Sequence, residues 1–254
     1  MDRDSFEKKL RHHLNQNLPN FQLVELNFLD DLVSPVRDQG DLGTSSYISS
    51  VACSEMICRK ENVEIPGCNG RYYFDIDEVF SNIFVKYYNK VRLNDIEGDM
   101  NTGVYEILQY MKEVGLRGTS AAWNPRKRNI HAFFCQEVYR KLIYSYKKLS
   151  MDEAFRISSR FPVIATFGIK QSFNRNFNEI IYLSKEIEEK YIHIDEEVDN
   201  LQMVDEEFEE VKLHTMLVVG NATLNHNDET LEFLLFTKLL GNRFWVHGIC
   251  TDAT

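Results

Sequence analysis

The stretch that most constrains the fold runs from Val33 to Cys58, VSPVRDQGDLGTSSYISSVACSEMIC. It opens as a proline-containing extended segment, turns at Gln39-Gly40 and Gly43, and closes in a run with apolar residues at Ile48, Val51, Ala52 and Met56. That spacing predicts a helix from Ser45 to about Lys60, buried at the centre of the fold. Thr44, Ser45 and Ser46 stand where a helix N-cap belongs, and hydroxyl residues are favoured there. A turn-rich loop feeding a buried helix is suited to displaying a reactive side chain beside unpaired backbone N–H groups and a partial positive charge.

The rest of the chain is ordered helices first, strands last, an α+β pattern with segregated halves. Phe6, Leu10 and Leu14 recur at helical spacing within residues 1–22, which read as a short amphipathic helix or a loose arm. Further helices are expected at about Asp77–Tyr88, after Gly103, over residues 132–149 and from Met151 to Arg160. The aromatic pairs Tyr72-Tyr73 and Tyr87-Tyr88 read as core packing. Strands are expected at FPVIATFGI from Phe161, at Leu213–Gly220, at Leu231–Lys238 and at Phe244–Cys250.

Charge narrows the partners. Of the net −10, residues 185–212 carry −9, with twelve acidic residues against three lysines. The remaining chain is nearly neutral. A basic face for nucleic acid or for anionic membranes is therefore missing from the composition, and no stretch approaches the roughly 20 apolar residues of a membrane span. The acidic segment reads either as a solvated loop or, through Ile192, Ile194, Leu201 and Phe208, as a partly ordered insert that recruits a basic partner or occupies a cleft. Five cysteines at irregular spacing (Cys53, Cys58, Cys68, Cys135 and Cys250), behind a polar N-terminus with no signal peptide, imply reduced thiols and a cytoplasmic protein. The spacing of Cys53, Cys58 and Cys68 fits no common zinc pattern, and no cofactor or metal is expected.

Val33-Ser34-Pro35-Val36-Arg37-Asp38-Gln39-Gly40 resembles the V-x-P-V-x-x-Q-G lead-in of the papain-like cysteine peptidases. The signature that follows in that family is C-G-[SA]-C-[WY]; here the five positions hold Leu42, Gly43, Thr44, Ser45 and Ser46. Leu213-His214-Thr215-Met216-Leu217-Val218-Val219-Gly220 resembles the strand that carries the family's histidine. Gly98-Asp99-Met100-Asn101-Thr102-Gly103, with the helical run after it, resembles the G-C-N-G-G segment. The resemblance covers about residues 23–250 in unbroken motif order. It implies a two-lobed α+β fold: a helical lobe over about 23–130, a barrel-like antiparallel lobe over about 131–254, and a cleft between them.

The same resemblance assigns family positions: Gln39 to the oxyanion donor, Ser45 to the nucleophile and His214 to the base. Lys238, or Thr237 with a shift of one residue, takes the asparagine that orients the histidine. Leu42 and Asp99 stand where the family has a disulfide. No trace of the family's long propeptide is seen. Papain-like chemistry needs a thiolate, whereas a serine hydroxyl depends wholly on an oriented base, and a lysine cannot accept the imidazole N–H. The resemblance therefore implies an inactive homologue, a monomer that holds a peptide or protein segment in the interlobe cleft. The alternatives are a working hydrolase with Ser45 as nucleophile and His214 as base, or an unrelated α+β protein.

Overall fold

The computed structural model describes residues 3–17, 20–33, 37, 44–63, 73–88, 103–119, 140–141, 145–169, 181–182, 212–226, 229–237 and 246–251. Five helices lie in chain order: α1 (Arg3–Asn17), α2 (Ser45–Lys60), α3 (Ile76–Tyr88), α4 (Val104–Glu113) and α5 (Met151–Ser158). The strands are β1 (Phe21–Phe28), β2 (Leu116–Arg117), β3 (Arg140–Lys141), β4 (Val163–Ile169), β5 (Ile181–Tyr182), β6 (Lys212–His226), β7 (Glu229–Thr237) and β8 (Val246–Thr251).

Helix α2 is the axis of the molecule. Twelve of its sixteen residues are buried, which requires apolar or small side chains on every face. One stripe, Ala52, Cys53 and Met56, packs into a core with α1, β1, β6 and β7. The opposite stripe, Tyr47, Ile48, Val51 and Cys58, packs into a second core with α3, α4 and Leu116. A helix shared between two cores gives a helical half and a sheet half with α2 at their junction. Helix α4 stops where its glycine sets it: Gly115 takes φ 87°, a left-handed turn that glycine enters without a Cβ penalty, and the amides of Val114 and Gly115 both fold back to the Tyr110 carbonyl.

The sheet half is one six-stranded sheet in the order β1-β6-β7-β8-β5, with β4 paired to β6 beyond the end of β1. All its pairs are antiparallel except β5 with β8. The described strands form an open sheet rather than a closed barrel. The fifteen-residue β6 is its spine, and bulges at Leu23/Glu25 and at Val218/Gly220 interrupt its ladders. At Gly220 the neighbouring strand comes so close that a Cβ would lie 2.0 Å from the Asn27 carbonyl oxygen.

Within residues 1–22, Arg3–Asn17 form a helix rather than a loose arm, and Phe21 and Gln22 already belong to β1. Phe6, Leu10 and Leu14 face the sheet and are buried against Phe21, Leu26 and Phe28, while the Arg3 guanidinium donates to the Leu26 carbonyl at 2.9 Å. The expected helix over 132–149 is corrected where the chain is described: Arg140–Lys141 pair with Leu116–Arg117 as a short antiparallel ladder, and residues 145–150 are not helical; residues 132–139 and 142–144 lie outside the described residues. The reason lies on both sides of the segment. Strand β2 offers a backbone edge to the first part. A capping box then fixes the start of α5, with the Ser150 hydroxyl accepting the Glu153 N–H and the Glu153 carboxylate accepting the Ser150 N–H. Among the described residues no helix is long and apolar enough to cross a membrane.

Candidate functional site

The helix N-terminus expected to present Ser45 does so. Thr44 is the N-cap residue, but its side chain makes no cap hydrogen bond, and the first turn holds no acidic residue. The positive end of the α2 dipole is thus answered neither by a capping hydroxyl nor by a carboxylate of its own first turn.

Strand β6 runs past this end of α2. Its pairing with β7 stops, among the described residues, at Leu217 opposite Thr237. Two residues further along, both backbone polar groups of Thr215 are met by serines of α2. The Ser45 Oγ accepts the Thr215 N–H at 3.4 Å, and the Ser49 Oγ donates to the Thr215 carbonyl at 3.1 Å. Serines four residues apart stand one above the other on a helix face, here the same face that continues into Ala52 and Met56. They satisfy both polar groups of Thr215 on the side of β6 where, among the described residues, no strand pairs with it, as buried backbone groups require. On the other side of β6 the Thr215 hydroxyl shares a hydrogen bond of 2.9 Å with that of Thr166 on β4.

His214, one residue before this joint, is buried and pairs in register with Phe167 of β4. The fold therefore brings Ser45 to the residue adjoining His214, from positions 170 residues apart at the hydrogen bond itself. Thr237 is buried at the end of β7. Gln39, Lys238, Leu42, Asp99 and residues 185–211 lie outside the described residues.

The residue leading toward Gln39 is anchored in a way the sequence did not disclose. Arg37 is buried and its Nη2 pairs with Glu55 Oε1 of α2 at 2.5 Å; the two side chains are 4% and 0% exposed. The same oxygen accepts the Phe74 N–H at 2.7 Å, and the Arg37 guanidinium lies 5.8 Å from the Tyr73 ring centroid. A fully buried ion pair of this kind fixes geometry more than it stabilises. The sequence holds only faint marks of these contacts: Glu55 is the one acidic residue between Ser45 and Lys60, and Ser49 stands four residues after Ser45.

Both cysteines of α2 are buried. Cys53 lies two turns along α2, buried, with its Sγ 3.7 Å from the Pro162 carbonyl oxygen. Burial pushes its thiol up to about 12, far from the thiolate form. Neither Cys53 nor Cys58 is in a disulfide. Among the described residues no group of three or more His, Cys, Asp and Glu side chains is placed to hold a metal ion.

No family model matches this chain, and no curated protein matches it in sequence. Solved structures do match in shape. A chain from a study of antibody cross reactivity between the mite allergens Blo t 1 and Der p 1 superposes with a TM-score of 0.53 at 13% identity, covering 91% of this chain and 67% of that one. The digestive procathepsin L 3 of Tenebrio molitor larval midgut gives 0.54 at 13% identity, covering 91% and 66%. Xylellain, a cysteine protease from Xylella fastidiosa, gives 0.51 at 13% identity, covering 90% and 80%. The chain has the papain-like α+β fold.

Proposed function

We propose that this papain-fold chain is a non-cleaving homologue of the cysteine peptidases, and that it holds a peptide or protein segment where the helical and sheet halves meet. The observation that carries the reading is the state of Ser45. At the position where the family needs a thiolate stands a hydroxyl whose oxygen accepts the Thr215 N–H, so one of its two lone pairs serves the joint between α2 and β6. A hydroxyl so placed still needs an oriented base to attack a carbonyl. The asparagine that would orient His214 is replaced in sequence by Lys238 or Thr237. A lysine there would also oppose an imidazolium by like-charge repulsion. What supports holding a peptide carbonyl rather than breaking its bond is a helix N-terminus with no side-chain cap bond and no acidic residue in its first turn, bonded to the residue adjoining a buried histidine. On this reading the protein acts as a cytoplasmic monomer, with a protein segment rather than nucleic acid or membrane as its partner.

One observation favours the second reading, an active hydrolase with Ser45 as nucleophile and His214 as base: the Ser45 hydroxyl sits against the residue adjoining His214. A fluorophosphonate probe on the purified protein separates the two. No labelling of Ser45 is expected. Labelling that vanishes in Ser45→Ala would overturn the non-cleaving reading. Ser45→Cys, treated with a thiol-directed epoxide, is expected to stay unlabelled as well, because the base is not oriented to draw off the proton.

A further inference from the structure

We propose that the outer edge of β4 takes an extended peptide segment as an added strand, a mode of binding that rests on the peptide-holding role given above. Strand β4 lies along β6 in an unbroken register, from Val163 opposite Val218 to Ile169 opposite Lys212. Rungs of an antiparallel ladder alternate between pairs that exchange both backbone hydrogen bonds and pairs that exchange neither. Thr166 stands opposite Thr215, whose N–H goes to Ser45 and whose carbonyl accepts from Ser49. The Thr166–Thr215 rung is therefore of the second kind. The 2.9 Å contact between the two threonine hydroxyls fits the closer side chains of such a pair.

The N–H and C=O of Thr166 then point away from β6. By alternation so do those of Ile164 and Gly168, opposite Leu217 and Leu213. Among the described residues β4 pairs with β6 alone, and Thr166 is exposed. Three residues thus present backbone donors and acceptors to the sheet edge, repeating about every 7 Å. Natural sheets protect such edges with charges, prolines or bulges. Strand β1, which shares this flank of β6, is protected: it has a bulge at Leu23/Glu25, an exposed Glu25 within it, and a Leu26 carbonyl taken by Arg3. The β4 sequence, VIATFGI, holds no charge and no proline, and its register shows no bulge.

A row of this kind is matched by another extended backbone, which offers N–H and C=O groups at the same spacing and turns its side chains to alternate faces. The occupant is a segment of a different polypeptide. A second copy of this chain fits less well, because each copy carries a net charge of −10 and like charge opposes association. The edge is also tied to the site already described. Thr215 receives Ser45 through its N–H and Thr166 through its hydroxyl, so one residue of β6 links the start of α2 to the strand that takes the segment.

The test is amide hydrogen exchange on the full chain, read by NMR. Without ligand, the Ala165 and Phe167 amides, bonded to β6, should be protected, while those of Ile164, Thr166 and Gly168 should exchange fast. Because the edge reads backbone, the probe is a blocked seven-residue peptide of alternating threonine and valine. Its control is the same peptide N-methylated at every second residue. At ten times its dissociation constant the probe should slow the Ile164, Thr166 and Gly168 amides about tenfold, and the methylated peptide should leave them unchanged. Protection of those three amides before any peptide is added overturns the proposal, and if that protection grows with protein concentration it assigns the edge to a second copy instead. A peptide that slows the Ser45 and Ser46 amides but not these three also overturns it, yet leaves the peptide-holding role standing. No response to the peptide anywhere in the chain overturns both.

Discussion

Replacing Glu55 by glutamine should cost the fold more than any other single-atom change in α2. The substitution keeps the shape and keeps an oxygen for the Phe74 N–H, so the hydrogen bond of 2.7 Å survives. What it removes is the negative charge facing Arg37. That guanidinium is 4% exposed, its Nη1 already lacks a hydrogen-bond partner, and Glu55 is its acidic partner among the described residues. Breaking one side of a buried pair leaves an uncompensated charge, at about 3–5 kcal/mol. For a chain of 254 residues the unfolding entropy near the midpoint is about 0.5 kcal/mol per kelvin, so the melting temperature should drop by roughly 6–10 °C. Urea unfolding followed by circular dichroism measures the loss directly. A double-mutant cycle with Arg37→Met and Glu55→Leu isolates the pair: each single change should be severe, and the double change should recover a large part of the loss because neither charge is left buried. A loss below about 1 kcal/mol for Glu55→Gln would refute the reasoning. So would single-variant losses that simply add.

Other substitutions probe the remaining contacts. Gly220→Ala places a methyl 2.0 Å from the Asn27 carbonyl oxygen, and β1 can yield only by breaking its ladder; a loss of about 3 kcal/mol or more is expected by urea unfolding, and a loss under 1 kcal/mol would show that the strands move apart freely. Ser49→Ala strips the Thr215 carbonyl of its donor and should cost about 1–3 kcal/mol. Ser50→Ala, one residue on, removes a buried hydroxyl that has no hydrogen-bond partner among the described residues and should be neutral or stabilising by up to about 1 kcal/mol; equal losses from the two changes would contradict the hydrogen-bond assignment. Cys53, held as a neutral thiol by burial, should resist iodoacetamide at pH 8 in the native protein and react once it is unfolded in urea, as read by mass spectrometry.

Helix α2 and strand β6 are legible in sequence because each announces itself locally: a turn followed by helical spacing, and a β-branched run ending in glycine. The approach of Ser45 to the strand of His214 is legible only through motif order, since nothing within either segment points to the other. The Ser49–Thr215 and Arg37–Glu55 contacts stay hidden for a related reason. A serine in the first turns of a helix looks like capping, and a glutamate on a helix looks solvated, until tertiary packing places a backbone carbonyl or a guanidinium against it. The region 132–149 misleads in the opposite direction: its apolar spacing suits a helix, yet pairing with β2 and the Ser150 cap determine what Arg140–Lys141 and residues 145–150 become. Residues 1–22 look like an arm because β1, on which the helix lies, joins the sheet only through β6, from the last third of the chain.

That last point bears on how the protein is made. The side-chain bond between Asn27 and Asn221 spans 194 residues, and among the described residues β1 pairs with β6 alone. A ribosome adding about 5–20 residues per second needs roughly 10–40 s to deliver β6 after β1 has emerged. Through that interval Phe6, Leu10 and Leu14 have no sheet to lie on, and the short helix that carries them is marginal by itself. Helix α1, made before the strands that complete its core, is among the last parts of that core to be covered, and its apolar face needs shelter while translation proceeds.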